Sequence, residues 1–223
     1  MYGSVPNDFS GGLYFMKRSF FRIADEKRDG IIAACISEFG TYGYEKSSTD
    51  RIIKNAGISK GGLYEYIYSK EDLYLYMTDF AYKALYAHIR EQLKKCKDGI
   101  PTDILERFRM VSSIAIDFYI KNPDYIKFIS ATGRITDPVL DGKIKKLFMR
   151  QFLSVFGTIS GDNLLYDRER LIDILIWLLA KTRDDFLHAV EQNSDNTRKL
   201  KKIYRENWDF YLSVLKTGIY KPS

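Results

Sequence analysis

The stretch from Ser47 to Leu73 constrains the fold most, because it combines three helix-start signals with one tight turn. Ser48, Ser59 and Ser69 each precede a short helical pattern, and a serine hydroxyl in that position can cap a helix N-terminus. Gly57 ends the first of these helices, since glycine enters the left-handed conformation without a Cβ clash. A helix, a turn that contains glycine and a second helix form a helix-turn-helix, whose second helix enters the DNA major groove. The stretch therefore predicts a DNA-binding element.

Polar residues of this stretch suit contact with DNA, because hydroxyls, lysines and helix N-termini are the usual partners of phosphate. The residues predicted to face the groove are Ser47, Ser48, Thr49, Lys60, Tyr64 and Tyr66. The residues left to hold the helices together are Ile52, Ile53, Ala56, Ile58, Leu63 and Ile67.

The run Gly57-Ile58-Ser59-Lys60-Gly61-Gly62-Leu63-Tyr64, followed by Ser69-Lys70-Glu71-Asp72-Leu73, resembles the N-terminal domain of TetR-family transcriptional regulators. The resemblance covers roughly residues 27–76. It implies an all-α chain, in which an N-terminal three-helix DNA-binding domain is joined by a long helix to a helical ligand-binding and dimerisation domain. It assigns Lys70 and Tyr64 to phosphates and Lys60 to a phosphate or a base edge. Lys27 and Gly62 complete the predicted DNA contacts.

Three positions depart from the common pattern of the family. Gly62 stands where a small side chain such as Thr is frequent, Tyr66 where His is frequent, and Tyr68 where a basic residue is frequent. Glycine inside a helix costs about 1 kcal/mol relative to alanine. These departures concern which bases are read rather than whether DNA is bound.

Composition gives weaker information than the motif. The net charge is +6, with 45% apolar and 29% charged residues, as in an ordinary globular protein. Residues 17–70 hold ten Lys and Arg against seven Asp and Glu, a mild excess that gives only weak support for nucleic acid. Cys35 and Cys96 have no metal or disulfide spacing, and no run is long and apolar enough to span a membrane. We expect a cytoplasmic protein without a cofactor.

The first fifteen residues match nothing downstream and lack the basic start of a signal peptide. Ser10-Gly11-Gly12 could be encoded by a ribosome-binding sequence, which would make Met16 the natural start. A disordered arm is the alternative. Residues 1–22 are accordingly expected to be a flexible or misassigned extension, with Lys17, Arg18 and Arg22 reaching the DNA backbone or forming a solvated basic end.

The remaining pattern is helical, with a DNA-binding domain expected over residues 23–70 and an effector-binding and dimerisation domain over 71–223. The predicted helices outside the motif run over about 24–41, 69–97, 102–121, 123–131, 138–156, 167–192 and 196–217. The fourth helix of the chain, over 69–97, is long enough to belong to both domains.

The last two helices carry more apolar surface than a small domain hides, and residues 171–180 are apolar almost all round. In TetR-like proteins the corresponding pair forms a four-helix bundle between subunits. The residues predicted for a homodimer interface are Leu175, Leu179, Trp208, Tyr211, Leu212 and Leu215.

Aromatic residues are common, with 17 Tyr and 14 Phe. One interpretation is a pocket for an apolar or aromatic effector, and core packing is the alternative for any single ring. The residues predicted to line the pocket are Tyr82, Tyr86, Phe108, Phe118, Tyr119 and Arg134. For Arg134, as for Arg183 and Asp184, a surface or interface ion pair is the other possibility.

His88 and His188 are the only histidines. A metal site formed by His188 with Asp184 and Asp185 is conceivable, but a plain polar or interface role is the simpler interpretation, and no metal is predicted. The motifs of hydrolases, zinc proteases and phosphate-binding loops do not occur, so no catalytic residues and no enzyme activity are expected.

The sequence therefore predicts a DNA-binding transcriptional regulator, a repressor that a small, largely apolar or aromatic effector releases from its operator. The expected partners are double-stranded operator DNA, the effector and a second copy of the chain, with no membrane. The alternative is a constitutive or architectural DNA-binding protein without an effector.

Overall fold

The computed structural model describes residues 15–96, 99–157, 164–192 and 197–219. The fold is all-α. Its helices, after a 3-10 turn at Arg18–Arg22, are α1 Asp25–Lys46, α2 Thr49–Ala56, α3 Lys60–Tyr64, α4 Lys70–Lys94, α5 Ile104–Lys121, α6 Pro123–Thr132, α7 Pro138–Phe156, α8 Arg168–Gln192 and α9 Thr197–Ile219.

The chain forms two compact units that are discontinuous in sequence. The first unit contains the chain up to Ala84 together with Asp124–Gln151, and the second contains Leu85–Pro123 together with the chain from Phe152 onward. Helices α4 and α7 each contribute residues to both units. The division into functional domains at residues 22 and 70 remains a prediction, because compactness alone does not define a function.

In the first unit, α1 packs against α2, and α2 packs against α3. Gly57 ends α2 in the left-handed conformation, with φ of 64°, and its N–H returns to carbonyls of the last turn. Helix α1 runs five residues past the predicted end, with a break at Gly43, where φ is 68° and ψ is −180°. Only glycine adopts that conformation easily, so the extra turn depends on this residue.

Residues 15–22 differ from the expectation of a flexible extension, while a translation start at Met16 remains a prediction. Met16 forms an antiparallel bridge with Ile67, and both residues are buried. Phe20 is fully buried, with its ring centroid 5.5 Å from that of Tyr76 and 6.1 Å from that of Tyr66. Apolar residues at positions 15, 16 and 20 therefore make this segment part of the first unit. The other residues of the predicted extension, 1–14, lie outside the described part of the chain.

In the second unit, α9 packs against α5 and α8. Asp103 caps α5 by accepting a hydrogen bond from Glu106 N at 2.9 Å. Arg109 of α5 pairs with Asp209 of α9, Nε to Oδ1 at 2.6 Å, and Lys201 of α9 pairs with Asp117 of α5. Within the described ranges, no helix is both long and apolar enough to cross a membrane.

Candidate DNA-binding surface

Helix α3, the second helix of the motif, is a single short turn with a defined start. Ser59 Oγ accepts a hydrogen bond from Gly62 N at 3.0 Å, as its position in the sequence predicts. Leu63 is fully buried and anchors the helix, while Lys60 and Tyr64 are exposed. A Cβ at Gly62 would lie 3.1 Å from Ser59 Oγ, so glycine leaves room for the cap.

The start of α2 and the exposed side of α3 come together in one polar surface. Thr49 Oγ1 lies 3.5 Å from Tyr64 Oη, and Lys60 Nζ lies 3.3 Å from Asp50 Oδ1. The Lys60 and Asp50 side chains are both about 70% exposed, so solvent screens this pair and the ammonium is available to an anion. The start of α2 thus presents the Thr49 hydroxyl beside α3, which presents the Lys60 cation at its start and the Tyr64 hydroxyl at its end.

A buried carboxylate fixes this surface to α1, and the sequence reasoning did not find it. Glu38 Oε1 accepts hydrogen bonds from Ser48 N at 2.7 Å, Arg51 Nε at 2.9 Å and Arg51 Nη2 at 2.6 Å. The Glu38 hydrogen bond raises the pKa of Arg51, and the guanidinium carbon lies 4.2 Å from the Tyr42 ring centroid. The only sign of this anchor in the sequence is that Glu38 is an acidic residue at a position of α1 that otherwise faces the core.

The prediction that the Ser48 hydroxyl caps α2 is wrong. Ser48 is the N-cap residue of α2, but its side chain makes no capping hydrogen bond. Its backbone N–H donates to Glu38 instead. The hydroxyl is half-buried at the edge of the surface.

Ser47 and Lys70 occupy structural positions between helices. Ser47 is buried, and its hydroxyl donates to Tyr44 O at 2.7 Å, so it does not face the groove as predicted. Lys70 Nζ donates to Ser47 O at 2.9 Å and Glu45 O at 3.5 Å, and it lies 4.8 Å from the Tyr44 ring centroid. Burial lowers the pKa of Lys70, although nearby Glu45 opposes this shift. Lys70 thus holds the start of α4 against the end of α1.

Tyr66 is also buried rather than groove-facing, because α3 ends at Tyr64 and the chain turns inward at the next residues. Lys27, exposed near the start of α1, lies with Nζ 5.6 Å from the Tyr66 ring centroid. Of the nine predicted DNA contacts, the structure leaves six exposed or half-buried: Lys27, Ser48, Thr49, Lys60, Gly62 and Tyr64.

The six residues predicted to line an effector pocket are divided between the two units. Tyr82 belongs to the first, where its hydroxyl lies 2.9 Å from Thr132 Oγ1, and Arg134 is exposed there. The four in the second unit, Tyr86, Phe108, Phe118 and Tyr119, are buried. A groove in the second unit is lined by none of these residues but by Asp103, Leu105, Glu106, Arg109, Asp209, Leu212, Ser213 and Lys216. The aromatic pocket stays a prediction.

His88 is half-buried, with its ring centroid 5.6 Å from that of Phe118. Burial, together with nearby Lys121, lowers its pKa. His188 is exposed, 3.7 Å from Glu191, and Arg183 pairs with Asp184 at 3.1 Å. Across the described part of the chain, no three His, Cys, Asp or Glu side chains are grouped as a metal would need.

Three residues predicted for the dimer interface lie in the core of the chain itself: Leu175, Trp208 and Leu212 are buried. Leu179, Tyr211 and Leu215 are half-buried. The apolar side chains that α8 and α9 expose are instead Ile174, Trp177, Ile203, Phe210 and Val214. An interface on α8 and α9 stays a prediction, and the three buried residues are not available to it.

The fold and this polar surface define a helix-turn-helix DNA-binding protein. Residues 31–77 match the family model described as bacterial regulatory proteins, tetR family. The chain is a transcriptional regulator of the TetR family.

Two curated relatives extend the similarity beyond the motif. The HTH-type transcriptional activator FasR of Mycolicibacterium smegmatis is 28% identical over 151 residues, which cover 67% of each chain. The nucleoid occlusion factor SlmA of Vibrio atlanticus is 28% identical over 201 residues, which cover 86% of this chain and 95% of the relative.

Solved structures share the whole fold. A TetR-family regulator from Chloroflexus aurantiacus has a TM-score of 0.65 at 19% identity, covering 94% of this chain and all of the other. FadR from Bacillus subtilis, solved in complex with stearoyl-CoA, has a TM-score of 0.56 at 17% identity, covering 79% and 96% of the two chains. At these identities, the likeness establishes the fold alone.

Proposed function

We propose that this regulator is a repressor, which binds operator DNA as a homodimer in the cytoplasm and is released by a small, largely apolar effector. The observation that carries the DNA-binding part is the arrangement of α2 and α3. The start of α2 and the short α3 present Thr49, Lys60 and Tyr64 together, while the Glu38–Arg51 pair holds α2 to α1. Such a surface is prepared to bind phosphate without reorganisation.

We assign the DNA contacts according to accessibility. Lys60 and Lys27 supply cations, Thr49 and Tyr64 supply hydroxyls, and Gly62 permits close approach of the backbone. The Lys70 ammonium has three N–H donors. Two of them bond to backbone carbonyls and fix its position, and the third is available to a phosphate. Its main effect on DNA affinity then comes through the α1–α4 junction rather than through its charge.

The proposed dimer forms through the exposed apolar residues of α8 and α9. Ile174 and Trp177 lie one turn apart on α8, and Ile203, Phe210 and Val214 follow a helical spacing on α9. Trp177 and Phe210 are more than 60% exposed, which is costly unless another molecule covers them. A second copy would bring two helix-turn-helix motifs to one operator, as the family does.

An acyl chain is the effector class we put first. FadR from Bacillus subtilis was solved with stearoyl-CoA, and a similar structure from Clostridium perfringens is described as a fatty acid metabolism regulator. The buried aromatic residues of the second unit, among them Phe108 and Phe118, are compatible with an apolar ligand. FasR carries the description of an activator, so the sign of regulation requires a direct test.

A second candidate function is constitutive DNA binding without an effector. It is favoured by the similarity to nucleoid occlusion factors, which spans most of the chain. The two functions share the DNA-binding surface and the dimer, and they differ in the response to a ligand.

The test begins by selecting a duplex from a randomised pool with the wild-type protein. Fluorescence anisotropy with that duplex then follows binding while acyl-CoAs of increasing chain length are added, with free CoA as the control. Release by acyl-CoA but not by CoA would support a regulator that an acyl effector releases from its operator. A reporter gene behind the selected duplex decides the sign of regulation, because a repressor lowers its expression and an activator raises it. Retention on DNA with every chain length would favour the constitutive DNA-binding protein. Failure to select any duplex would contradict both.

A further inference from the structure

The short segment before α1 contacts the end of the recognition helix at three consecutive carbonyl groups. Lys17 Nζ donates to Tyr64 O at 2.8 Å, Ser19 Oγ donates to Glu65 O at 2.5 Å, and Lys17 N donates to Tyr66 O at 2.8 Å. The last carbonyls of a helix have no partner within the helix, so they are satisfied from outside or by water. Here one neighbouring segment satisfies the carbonyl of Tyr64, the last residue of α3, and the two carbonyls that follow it, at Glu65 and Tyr66.

The same segment is anchored on its other side by burial. Met16 is bridged to Ile67, and Phe20 is fully buried against the rings of Tyr66 and Tyr76. The two donors are therefore held in place by a core contact rather than by flexible side chains alone. Lys17 is held further by the Tyr68 ring, whose centroid lies 5.4 Å from Nζ.

Helix α3 is otherwise fixed at its C-terminal end by the burial of Tyr66 and Ile67, which directly follow it. It is five residues long, and one of its two central glycines, Gly61, has open space around the position of a Cβ. An isolated helix of this length is unstable, since ordering the backbone of the first turn costs more free energy than its hydrogen bonds contribute. Its start is fixed by Ser59 and its middle by Leu63, but Tyr64 is exposed.

We propose that Phe15–Arg22 is a clamp that positions the recognition helix, with Lys17 and Ser19 as positioning residues for DNA binding. Lys17 and Ser19 hold the last turn of α3 and so fix the direction of Tyr64, the residue whose carbonyl Lys17 contacts. The contribution to DNA affinity rests on the proposed function, whereas the clamp itself is a property of the free protein. This role differs from that of a basic arm on the DNA backbone, because the Lys17 ammonium is turned to a protein carbonyl.

The clamp is tested first without DNA, by hydrogen exchange on the full chain. The variants are Lys17→Ala, Ser19→Ala and the double variant, with Ser19→Thr to restore the hydroxyl. Arg18→Ala is the matched control, since Arg18 is an exposed neighbour with the same charge as Lys17. We expect amide exchange over residues 63–67 to rise about tenfold for each single variant, as the loss of one such hydrogen bond gives.

Exchange in α5 and α8 should stay unchanged in these variants, and Ser19→Thr should keep wild-type exchange over 63–67. Arg18→Ala should also leave exchange over 63–67 unchanged. Unchanged exchange over residues 63–67 in the double variant would overturn the clamp. A rise of equal size throughout the chain would overturn it as well, because that result would reflect global stability.

The second arm measures affinity for the duplex selected by the wild-type protein and for an unrelated duplex, at several salt concentrations. A positioning role predicts that Lys17→Ala and Ser19→Ala bind the selected duplex about tenfold more weakly while the unrelated duplex is little affected. For Lys17→Ala, the slope of log affinity against log salt should not change. A slope smaller by about 0.9 would make Lys17 a phosphate contact and overturn its positioning role.

The two arms separate the clamp from the proposed function. If the wild-type protein selects no duplex, the proposed function fails, while the exchange data still decide the clamp. If exchange rises over residues 63–67 but affinity for the selected duplex is unchanged, Lys17 and Ser19 are not positioning residues for DNA binding.

Discussion

Tyrosine rings hold the cations of the helix-turn-helix region in place. In the described residues, four cations lie within 6 Å of a tyrosine ring centroid: Lys17 at Tyr68, Lys27 at Tyr66, Arg51 at Tyr42 and Lys70 at Tyr44. Such contacts stabilise by about 0.5–1 kcal/mol at exposed sites. They also restrict side chains that would otherwise lose entropy on binding DNA. Lys60, by contrast, pairs with an exposed carboxylate, that of Asp50.

Lys60→Ala is expected to weaken binding to all duplexes by a similar factor. Its ammonium is exposed on the start of α3, so its loss removes one phosphate contact and lowers the salt slope by about 0.9. Fluorescence titration at four salt concentrations measures this slope. Lys146→Ala, which removes an exposed lysine of α7, should leave the slope near the wild-type value. An unchanged slope in Lys60→Ala would remove Lys60 from the phosphate contacts.

Glu38→Gln is expected to destabilise the protein by about 1–2 kcal/mol. The buried carboxylate accepts three hydrogen bonds, and an amide oxygen cannot match them or balance the Arg51 charge. The lower end of the range reflects the partial exposure of Arg51, which can turn toward water. Urea denaturation gives the free energy of unfolding. Asp50→Asn, which breaks the exposed pair with Lys60, should change it by less than about 0.5 kcal/mol. Equal effects of the two variants would contradict an anchoring role for Glu38.

At the scale of the helices, features that depend on nearby residues could be predicted from the sequence, whereas features that depend on contacts between distant residues could not. The caps at Ser59 and Ser69 form as predicted, because each depends on an amide three residues later. The cap at Ser48 does not, because Glu38 from the preceding helix takes its place. Tyr66 was placed in the groove by continuing the helical spacing, but the helix has already ended at Tyr64.

The interface between copies is the clearest case of missing information. Residues 171–180 are apolar on almost all sides, so periodicity cannot distinguish the side that packs against α9 from the side that stays exposed. The structure buries Leu175 and leaves Ile174 and Trp177 exposed. An interface on α8 and α9 therefore remains a prediction, while Leu175, Trp208 and Leu212 belong to the core of the chain.

The variant Trp177→Glu/Phe210→Glu is expected to be a folded monomer with weak DNA affinity. Both side chains are exposed in the single chain, so charges there disturb association rather than folding. Sedimentation should give the chain mass of 26.0 kDa, with an unchanged helical circular dichroism spectrum. Val139→Glu, a control on an exposed position of α7, should remain dimeric. A dimeric Trp177→Glu/Phe210→Glu protein would exclude this face. Charges at Leu175 and Leu212 should instead unfold the second unit, because both residues are in its core.

Two glycines of α1 are expected to respond to alanine with opposite signs. Gly43 has φ of 68° and ψ of −180°, so Gly43→Ala should cost about 1–3 kcal/mol. Gly30 is within the regular helix with open space at the Cβ position, so Gly30→Ala should gain about 0.5–1 kcal/mol. Urea denaturation of both variants measures these changes. A neutral Gly43→Ala would show that the break in α1 is not required by the rest of the fold.

At the scale of the whole molecule, α4 is the element that a ligand signal can use. It begins one residue after Ser69, next to the helix-turn-helix, and its later turns carry Tyr82 and Tyr86. A dimer must hold two recognition helices about 34–36 Å apart, or a multiple, to enter successive major grooves. A small movement of α4 in each subunit would change this spacing.

We therefore expect effector and operator to weaken each other by the same factor. A typical coupling is about 1–3 kcal/mol, which corresponds to about 5- to 150-fold in affinity. Calorimetric titration with the acyl-CoA that releases the selected duplex, with and without that duplex, measures the factor from both directions. An unrelated duplex is the control and should leave the effector affinity unchanged. Equal effector affinities with and without the selected duplex would show that no such coupling exists.

The discontinuous first unit has a consequence for the order in which the protein is made. Its second segment, Asp124–Gln151, follows Leu85–Pro123 of the other unit, so the helix-turn-helix is synthesised well before its own unit is complete. At about 5–20 residues per second, this interval is roughly 3 to 13 seconds on the ribosome. A nonsense codon between Ala84 and Gln151 would release the DNA-binding residues without the helices that complete their unit. Such fragments are expected to be degraded rather than to compete with the intact regulator for its operator.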